Sequence, residues 1–424
     1  MENAKELDST YKSSRHLFNI PISNTQKEYI YLNGNSLGLQ PKSIYCSINN
    51  NMDLWKMNNI EKKQIGYGSI QKQRDLDELD CIKILTKLVG ANKDELAIMN
   101  GLSTNLHMLL SSFYKPTKKR YKILTEYNAF NSDQYIVQTQ LLHNNVNIEE
   151  GLLMIGDENK YIISTEDIYS VIEEHSESIS IILIGAVNYL TGQFFDIKKI
   201  TEFAHKYNIL VGFDLAHAIG NVPLELHEWE VDFAAWCSYK YLNSGAGGIG
   251  GIFIHENNFP KSNENNILGG WWGQKIESRL SFLSNSKFDP IPNALGWQTS
   301  NPSSILLSML SESLKIFEKT GGIKVLRERS LILTDFLEKR MNQELGDKII
   351  IITPKEPYRG AQISFYINDN LVVDYKKIYN WLVDNYIACD LRGNIFRIAV
   401  CPLYNTFIEI ERFVNILKKG LNML

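Results

Sequence analysis

The sequence predicts an α/β domain built on a mostly parallel sheet, followed by a smaller α+β domain. Three observations carry this. Strand-like and helix-like segments alternate from about residue 95 to residue 255, as parallel strands joined by crossover helices require. Ile179–Ala186 is a nearly continuous Ile/Leu run, the mark of a strand buried on both faces. Near residue 300 the texture changes, from alternation to one long amphipathic helix and then a mixed pattern. The expected organisation is an N-terminal arm and segment over 1–60, a large α/β domain over 61–310 and a small α+β domain over 311–424.

The elements follow in order. After a polar arm comes the turn-rich stretch Tyr31–Lys42, where Gly34 and Gly38 permit tight backbone and Pro41 can start a helix. An amphipathic helix runs from about residue 75 to Val89. Glu95–Met99 reads as a strand and Ser103–Phe113 as a helix opened by a serine cap. Tyr121–Thr125 is a strand and Asn131–His143 a helix. Ile197–Tyr207 is a helix, and Ile209–Asp214 a strand ending in an acid. Phe233–Cys237 and Gly251–His255 are short strands. Ser303–Lys319 is the long helix, followed by strands at Ile349–Thr353, Ala361–Ile367 and Ile395–Val400 and a last helix from Ile408.

Composition narrows the function. The 424 residues carry 44 Lys and Arg against 48 Asp and Glu, a net charge of −4, so no global field holds a polyanion. The expected ligand is small, with neither nucleic acid nor membrane as partner. Cys46, Cys81, Cys237, Cys389 and Cys401 are odd in number and widely spaced, which suggests thiols rather than disulfides or a metal site. Residues 1–15 lack an apolar core and carry Glu2, Glu6 and Asp8, unlike a presequence. No apolar stretch approaches a membrane span. A cytoplasmic protein is expected.

The chemistry concentrates in Val211-Gly-Phe-Asp-Leu-Ala-His217 and Trp236-Cys-Ser-Tyr-Lys240. Asp214 closes a strand at the sheet edge where open α/β folds bind ligands, and there it can hold a cationic ring nitrogen. His217 can share the pocket. Lys240 also follows a strand, and packing among Trp236, Tyr239 and Tyr241 would desolvate it into a usable amine. Taken singly, these residues could be a capping acid, a surface lysine and a core histidine. As an ordered set they have the layout of a fold-type-I pyridoxal phosphate enzyme, with lysine for the Schiff base and aspartate for the pyridine nitrogen. Gly245-Ala-Gly-Gly-Ile-Gly250 also fits a dinucleotide fingerprint, but it runs into a strand instead of opening a helix.

Other segments could complete a pocket. Gly101-Leu-Ser-Thr-Asn105 opens a helix and suits a phosphate. Phe130-Asn-Ser-Asp133 puts an aromatic and an acid at a strand-to-helix junction. Trp271-Trp-Gly273 and Thr299-Ser-Asn-Pro302 are loops. Arg397 alternates with apolar neighbours on a strand, either paired structurally or aimed at a ligand carboxylate.

The blocks Gly34–Pro41, Asn105–His107, Gly212–Ala218, Trp236–Asn243, Ser300–Pro302 and Pro402–Asn405 together make the sequence resemble the kynureninases, within the class V aminotransferase superfamily, over about residues 30 to 410. The resemblance implies pyridoxal 5′-phosphate, with Lys240 as its covalent anchor, Asp214 on its ring nitrogen and Tyr239 as a third catalytic residue. It implies a cofactor pocket of Leu102, Ser103, Phe130, Asn131, Ser132, Asp133, Asp214, His217, Tyr239 and Lys240, with Trp271 and Asn301 reaching in from the second subunit of a homodimer. Arg397 would bind the substrate α-carboxylate, with Ser36, Ser300 and Asn301 near its aromatic ring. Two departures stand out. Gly185 occupies a place where the family often has serine, and residues 61–71 lack the histidine that animal members set against the substrate ring.

The implied reaction is hydrolytic Cβ–Cγ cleavage of L-kynurenine or 3-hydroxy-L-kynurenine to anthranilate or 3-hydroxyanthranilate plus L-alanine, in tryptophan degradation and the supply of NAD precursors. Alternatives are a cysteine desulfurase or aminotransferase of the same fold, or a non-catalytic binding protein. A desulfurase needs a reactive cysteine on a mobile loop, whereas Cys389 and Cys401 have apolar, strand-like settings.

Overall fold

The computed structural model of the chain describes residues 2–57, 68–158, 160–260, 267–279, 287–368, 370 and 374–423. The segment 61–71, noted above for its missing histidine, lies outside the described residues except for the backbone of 68–71. Seven strands form the large sheet: β1 (Leu96–Ile98), β2 (Lys122–Glu126), β3 (Leu152–Ile155), β4 (Ile179–Gly185), β5 (Leu210–Asp214), β6 (Phe233–Trp236) and β7 (Gly251–Ile254). Their spatial order is β1-β7-β6-β5-β4-β2-β3. The pairs from β6 through β3 are parallel, and β7 runs antiparallel to both neighbours. This is the predicted mixed α/β architecture.

β4 is buried along nearly its whole length because helices cover both faces of the sheet. One core joins Ile182, Ile184, Val211 and Phe213 to the helix Ser304–Lys319 through Leu307, Leu310 and Leu314. The opposite face packs Ile181, Leu183 and Ala235 against Leu106, Leu109 and Leu110 of the helix Leu102–Phe113. That helix departs from expectation at its start. Gly101 is its N-cap and makes no side-chain cap bond, so Ser103 lies inside the first turn with its hydroxyl free of capping.

The smaller sheet has four antiparallel strands, β8 (Ile349–Ile351), β9 (Gln362–Ile367), β10 (Asp390–Arg392) and β11 (Ile395–Ala399), in the order β8-β9-β11-β10. Its core gathers Phe365, Phe396 and Ile398 with Phe413 and Leu417 of the last helix, Phe407–Met423. The long helix Gly322–Leu345 serves both cores, with Ile323 and Leu326 in the large one and Leu333 and Leu337 in the small one. The N-terminal segment does likewise, with Phe18 and Leu39 in the large core and Ile30 and Leu32 in the small one.

Candidate active site

Parallel strands end their backbone pairing at the same edge, and the loops beyond that edge enclose a cavity of about 200 Å³. Sheet order determines what lines it. Gly185 and Asp214 are register partners at the ends of β4 and β5, and Asp214 pairs onward with Ala235 of β6, whose following loop carries Tyr239 and Lys240. β2 ends in Glu126 and leads through Phe130 to Ser132 and Asp133. The helix after β1 brings Gly101, Leu102, Ser103 and Thr104 to the same cavity.

One end of the cavity is acidic. Asp214 is buried, and its Oδ1 accepts the Ala216 N–H at 2.7 Å. Asp133 hydrogen-bonds Asp214; burial and then the neighbouring Asp214 charge hold its carboxyl well above the usual range. Two buried carboxyl groups in contact share a proton more readily than they both ionise. Sequence reasoning missed a third acid. Glu126 is 3 % exposed and accepts the Gly185 N–H at 3.1 Å. A side chain at position 185 would crowd it, since a Cβ there would lie 3.1 Å from Glu126 Oε1. A glycine at position 185 therefore accompanies close approach of this carboxyl group.

Burial pushes the Glu126 carboxyl from 4.5 up to about 8, with the Gly185 N–H pulling it down and the Asp214 charge pushing it up. Between those values the folded chain keeps a proton that the unfolded chain releases. This contribution to stability is full below about 4.5 and is lost as pH rises to about 8. The cofactor-free protein is thus expected to lose melting temperature across that window, with a shallower slope in Glu126→Gln. Equal slopes in stepped-pH melts would remove the protonated Glu126.

The cavity wall also carries hydroxyls and backbone donors. Ser103 and Ser132 are 2.8 Å apart through their Oγ atoms, beside the uncapped first turn of the Leu102–Phe113 helix. Lys240, on the loop after β6, is half-buried. The rings beside its Nζ are Phe130 and Tyr239, both with centroids 5.9 Å away. Trp236 instead packs on Gly251 and Tyr241 faces His217, so only one of the three aromatics expected around the amine stands beside it. The lysine loop is gripped from outside: the Gly38 N–H donates to Tyr239 O at 2.8 Å, and a Cβ on Gly38 would lie 2.2 Å from Lys240 O.

His217 is buried with its Nδ1 unpartnered; desolvation, then Lys240 and Arg397, hold its pKa well below the usual value. Burial raises the Tyr239 phenol, which keeps its proton and hydrogen-bonds Cys237. The residues present fit pyridoxal phosphate. They offer a carboxylate for a ring nitrogen, an amine beside an aromatic face, a hydroxyl-rich helix start for a phosphate and a buried imidazole nitrogen that lacks a partner.

The other predicted positions are placed differently. Asn131 is exposed and does not line the cavity. Trp271, Ser300 and Asn301 are exposed on loops and line no part of this cavity. Arg397 is 2 % exposed and lies one side chain back, its Cζ 5.7 Å from the ring centroid of Tyr189, which does line the cavity. Ser36 Oγ lies 3.1 Å from Arg397 Nη2.

The class-V aminotransferase family matches residues 81–387. A kynureninase of Dictyostelium discoideum is 42 % identical over 403 residues, covering 93 % of this chain and 87 % of its own. The Saccharomyces cerevisiae kynureninase is 39 % identical over 462 residues and covers both chains completely. The chain belongs to the kynureninase family. Pyridoxal phosphate is accordingly its cofactor. Solved structures show the fold-type-I architecture at lower identity. A C-DES mutant with glycine covalently linked to its PLP cofactor superposes with a TM-score of 0.78 at 16 % identity, covering 95 % of this chain and 98 % of its own. The Escherichia coli cysteine desulfurase CsdA gives 0.75 at 16 % identity, over 97 % and 98 %.

A second cluster, absent from the sequence reading, lies outside the kynureninase-like pocket. Facing atoms of Glu95, His227 and His255 fall within 4.8 Å of one another. They are already engaged. Glu95 accepts from the Asn92 and Glu256 N–H groups and meets His227 Nδ1 at 2.9 Å, while His255 Nδ1 accepts the Asn257 N–H and its Nε2 reaches His227 O. This is a structural clasp between loops.

Proposed function

We propose that the protein hydrolyses the Cβ–Cγ bond of L-kynurenine and 3-hydroxy-L-kynurenine, releasing L-alanine and an anthranilate. The observation that carries this is full-length similarity of about 40 % identity to kynureninases, with Lys240 and Asp214 on adjoining strand ends of one cavity. When bound, pyridoxal phosphate supplies an electron sink for bonds broken at an amino acid's Cα. Lys240 would hold it and would take and hold the substrate's α-proton. Asp214 would pair with the ring nitrogen. Arg397 takes the substrate α-carboxylate, and Ser36, Ser300 and Asn301 lie toward the substrate ring. Water adds to the γ-carbonyl carbon and the Cβ–Cγ bond breaks, so the aryl fragment leaves as a carboxylic acid. Tyr239, protonated and at the cavity wall, gives the proton that Cβ needs to become the methyl group of alanine.

The working form in this reading is a homodimer in the cytoplasm, within tryptophan breakdown and the supply of NAD precursors. Trp271 and Asn301 of each copy reach the other copy's pocket. Their exposure supports this, as do the large apolar side chains Tyr45, Trp55, Met57 and Leu79 exposed on the helices Ile44–Met57 and Gly68–Val89.

The desulfurase alternative is disfavoured by its missing nucleophile. Burial raises Cys389 to about 12 and Cys401 to about 11, and the one exposed cysteine, Cys46, does not line the cavity. The test is to incubate the yellow holoenzyme with L-kynurenine, 3-hydroxy-L-kynurenine and L-cysteine. Fluorescent anthranilates and alanine are expected, with higher kcat/KM for the 3-hydroxy substrate, because hydroxyl and amide groups at Ser300 and Asn301 reward a ring hydroxyl. Sulfide from cysteine without aryl product would overturn the proposal.

A further inference from the structure

The arginine assigned to the substrate carboxylate is already held by a carboxylate of the chain itself. Asp390 and Arg397 stand directly opposite each other on the antiparallel strands β10 and β11. Arg397 Nη2 donates to Asp390 Oδ2 and to Ser36 Oγ, and the Ser36 hydroxyl donates to the same Asp390 oxygen at 3.1 Å. Nη1 donates to Tyr189 O at 2.7 Å. The Arg397 side chain is 3 % exposed, and its Nε has no partner.

A two-point grip on a ligand carboxylate needs two neighbouring N–H groups of the guanidinium. Nε is free, but the adjacent Nη2 is engaged by Asp390, so a second carboxylate meets an edge already half taken. Asp390 is already shared with a second cation, whose Nε donates to the same oxygen. Arg392 Nε lies 3.2 Å from Asp390 Oδ2, on a side chain 50 % exposed. Two arginines and one aspartate carry a net charge of +1, which one further carboxylate neutralises. A buried arginine without a counter-ion is costly, as is a half-buried aspartate stripped of its partner. The cluster avoids both costs, provided that Asp390 moves its pairing as the ligand arrives.

We propose that Asp390 is a resident counter-ion, shared by Arg397 and Arg392, that releases Arg397 and stays with Arg392 when a substrate carboxylate binds, and so sets the affinity of the clamp. Burial is the largest influence on the Asp390 carboxyl and raises it, yet Arg397, Arg392 and the Ser36 hydroxyl together outweigh it and hold the group below its usual range. Asp390 is a positioning residue. It touches the clamp and not the reacting atoms. The inference rests on the substrate reading of Arg397.

The test measures kcat and KM for L-kynurenine in Asp390→Asn, Arg392→Gln and the double variant. It also measures inhibition by the decarboxylated analogue of kynurenine, which lacks the α-carboxylate. Asp390→Asn keeps an acceptor oxygen for Arg397 but loses the competing charge, so KM should fall on the order of tenfold, with the change in KM and not in kcat. Arg392→Gln should raise KM several-fold by leaving Asp390 on Arg397. In the Asp390→Asn background the same change should shift KM less than about twofold. Inhibition by the decarboxylated analogue should not follow either substitution. A raised KM in Asp390→Asn, additive effects in the double variant, or equal shifts with the analogue would overturn the exchange. Arg392 is exposed, so its variant decides the matter even if Asp390→Asn folds poorly. Should the wild type leave kynurenine uncleaved, the functional reading falls by itself. The exchange is then read from L-alanine titrations of the holoenzyme's visible band, where the same order of affinities is expected and its absence overturns it.

Discussion

Replacing Lys240 by alanine is expected to abolish the yellow absorbance of the holoenzyme and cut kynurenine turnover by at least about a thousandfold. No other amine can stand in. Among the described residues lining the cavity Lys240 is the sole lysine, and the cavity's one imidazole, His217, is buried with a lowered pKa. The loss combines covalent anchorage with proton transfer at Cα, so added amines should recover little of it. Borohydride reduction of the wild type followed by peptide mapping checks the assignment: a pyridoxyl label on a different lysine sinks it. The same variant probes the dimer. Lys240→Ala subunits keep intact loops at Trp271 and Asn301, whereas Asn301→Ala subunits keep the lysine. Mixed after subunit exchange, the two should regain activity in hybrid dimers. Failure to complement, with exchange demonstrated, would place those loops in their own subunit's site.

What the sequence disclosed and what it hid follow from the physics of each signal. Strand ends were legible because parallel-sheet strands are nearly continuous apolar runs, and Asp214 closes such a run. The helix Asn131–His143 falls where it is expected, whereas β3 and the helix Thr165–His175 went unread, the latter although Ser164 and Asp167 form a capping box at its start. Ser103 was taken for a cap because serine before an apolar helix usually is one. Here Gly101 fills that position and the serine turns to Ser132. Glu126 was invisible because nothing local marks an acid at a strand end as buried. Its environment comes from Gly185 and Asp214, roughly 60 and 90 residues away along the chain but neighbours across the sheet. Asp390 is hidden for the same reason. Its pairing with Arg397 depends on hairpin register, which a two-residue turn at Gly393 and Asn394 sets and which spacing alone does not announce. What a single segment encodes is legible in the sequence, and pairings across neighbouring strands are not.

The second large effect is expected at Asp214. Asp214→Ala should retain cofactor but slow turnover, because the carboxylate keeps the ring nitrogen protonated and lets the ring accept electrons left by α-proton loss. Loss of a charge-assisted contact in a buried site costs on the order of 2–4 kcal/mol at the transition state, or roughly 30- to 900-fold in rate. The acid cluster determines where in that range the variant falls. Asp133 is held neutral largely by burial and by Asp214. Removing Asp214 takes away one charge that opposes its ionisation, so Asp133 can partly replace the missing anion. The single variant should then sit near the lower end of the range, and Asp133→Asn combined with Asp214→Ala should lose far more than the product of the two single effects. Steady-state rates of the three variants, with cofactor content measured alongside, test this. A single-variant rate within about twofold of wild type would correspond to only ~0.4 kcal/mol and would remove Asp214 from the ring nitrogen. Simple multiplicative losses would leave Asp214 in its role but deny Asp133 any part as its substitute.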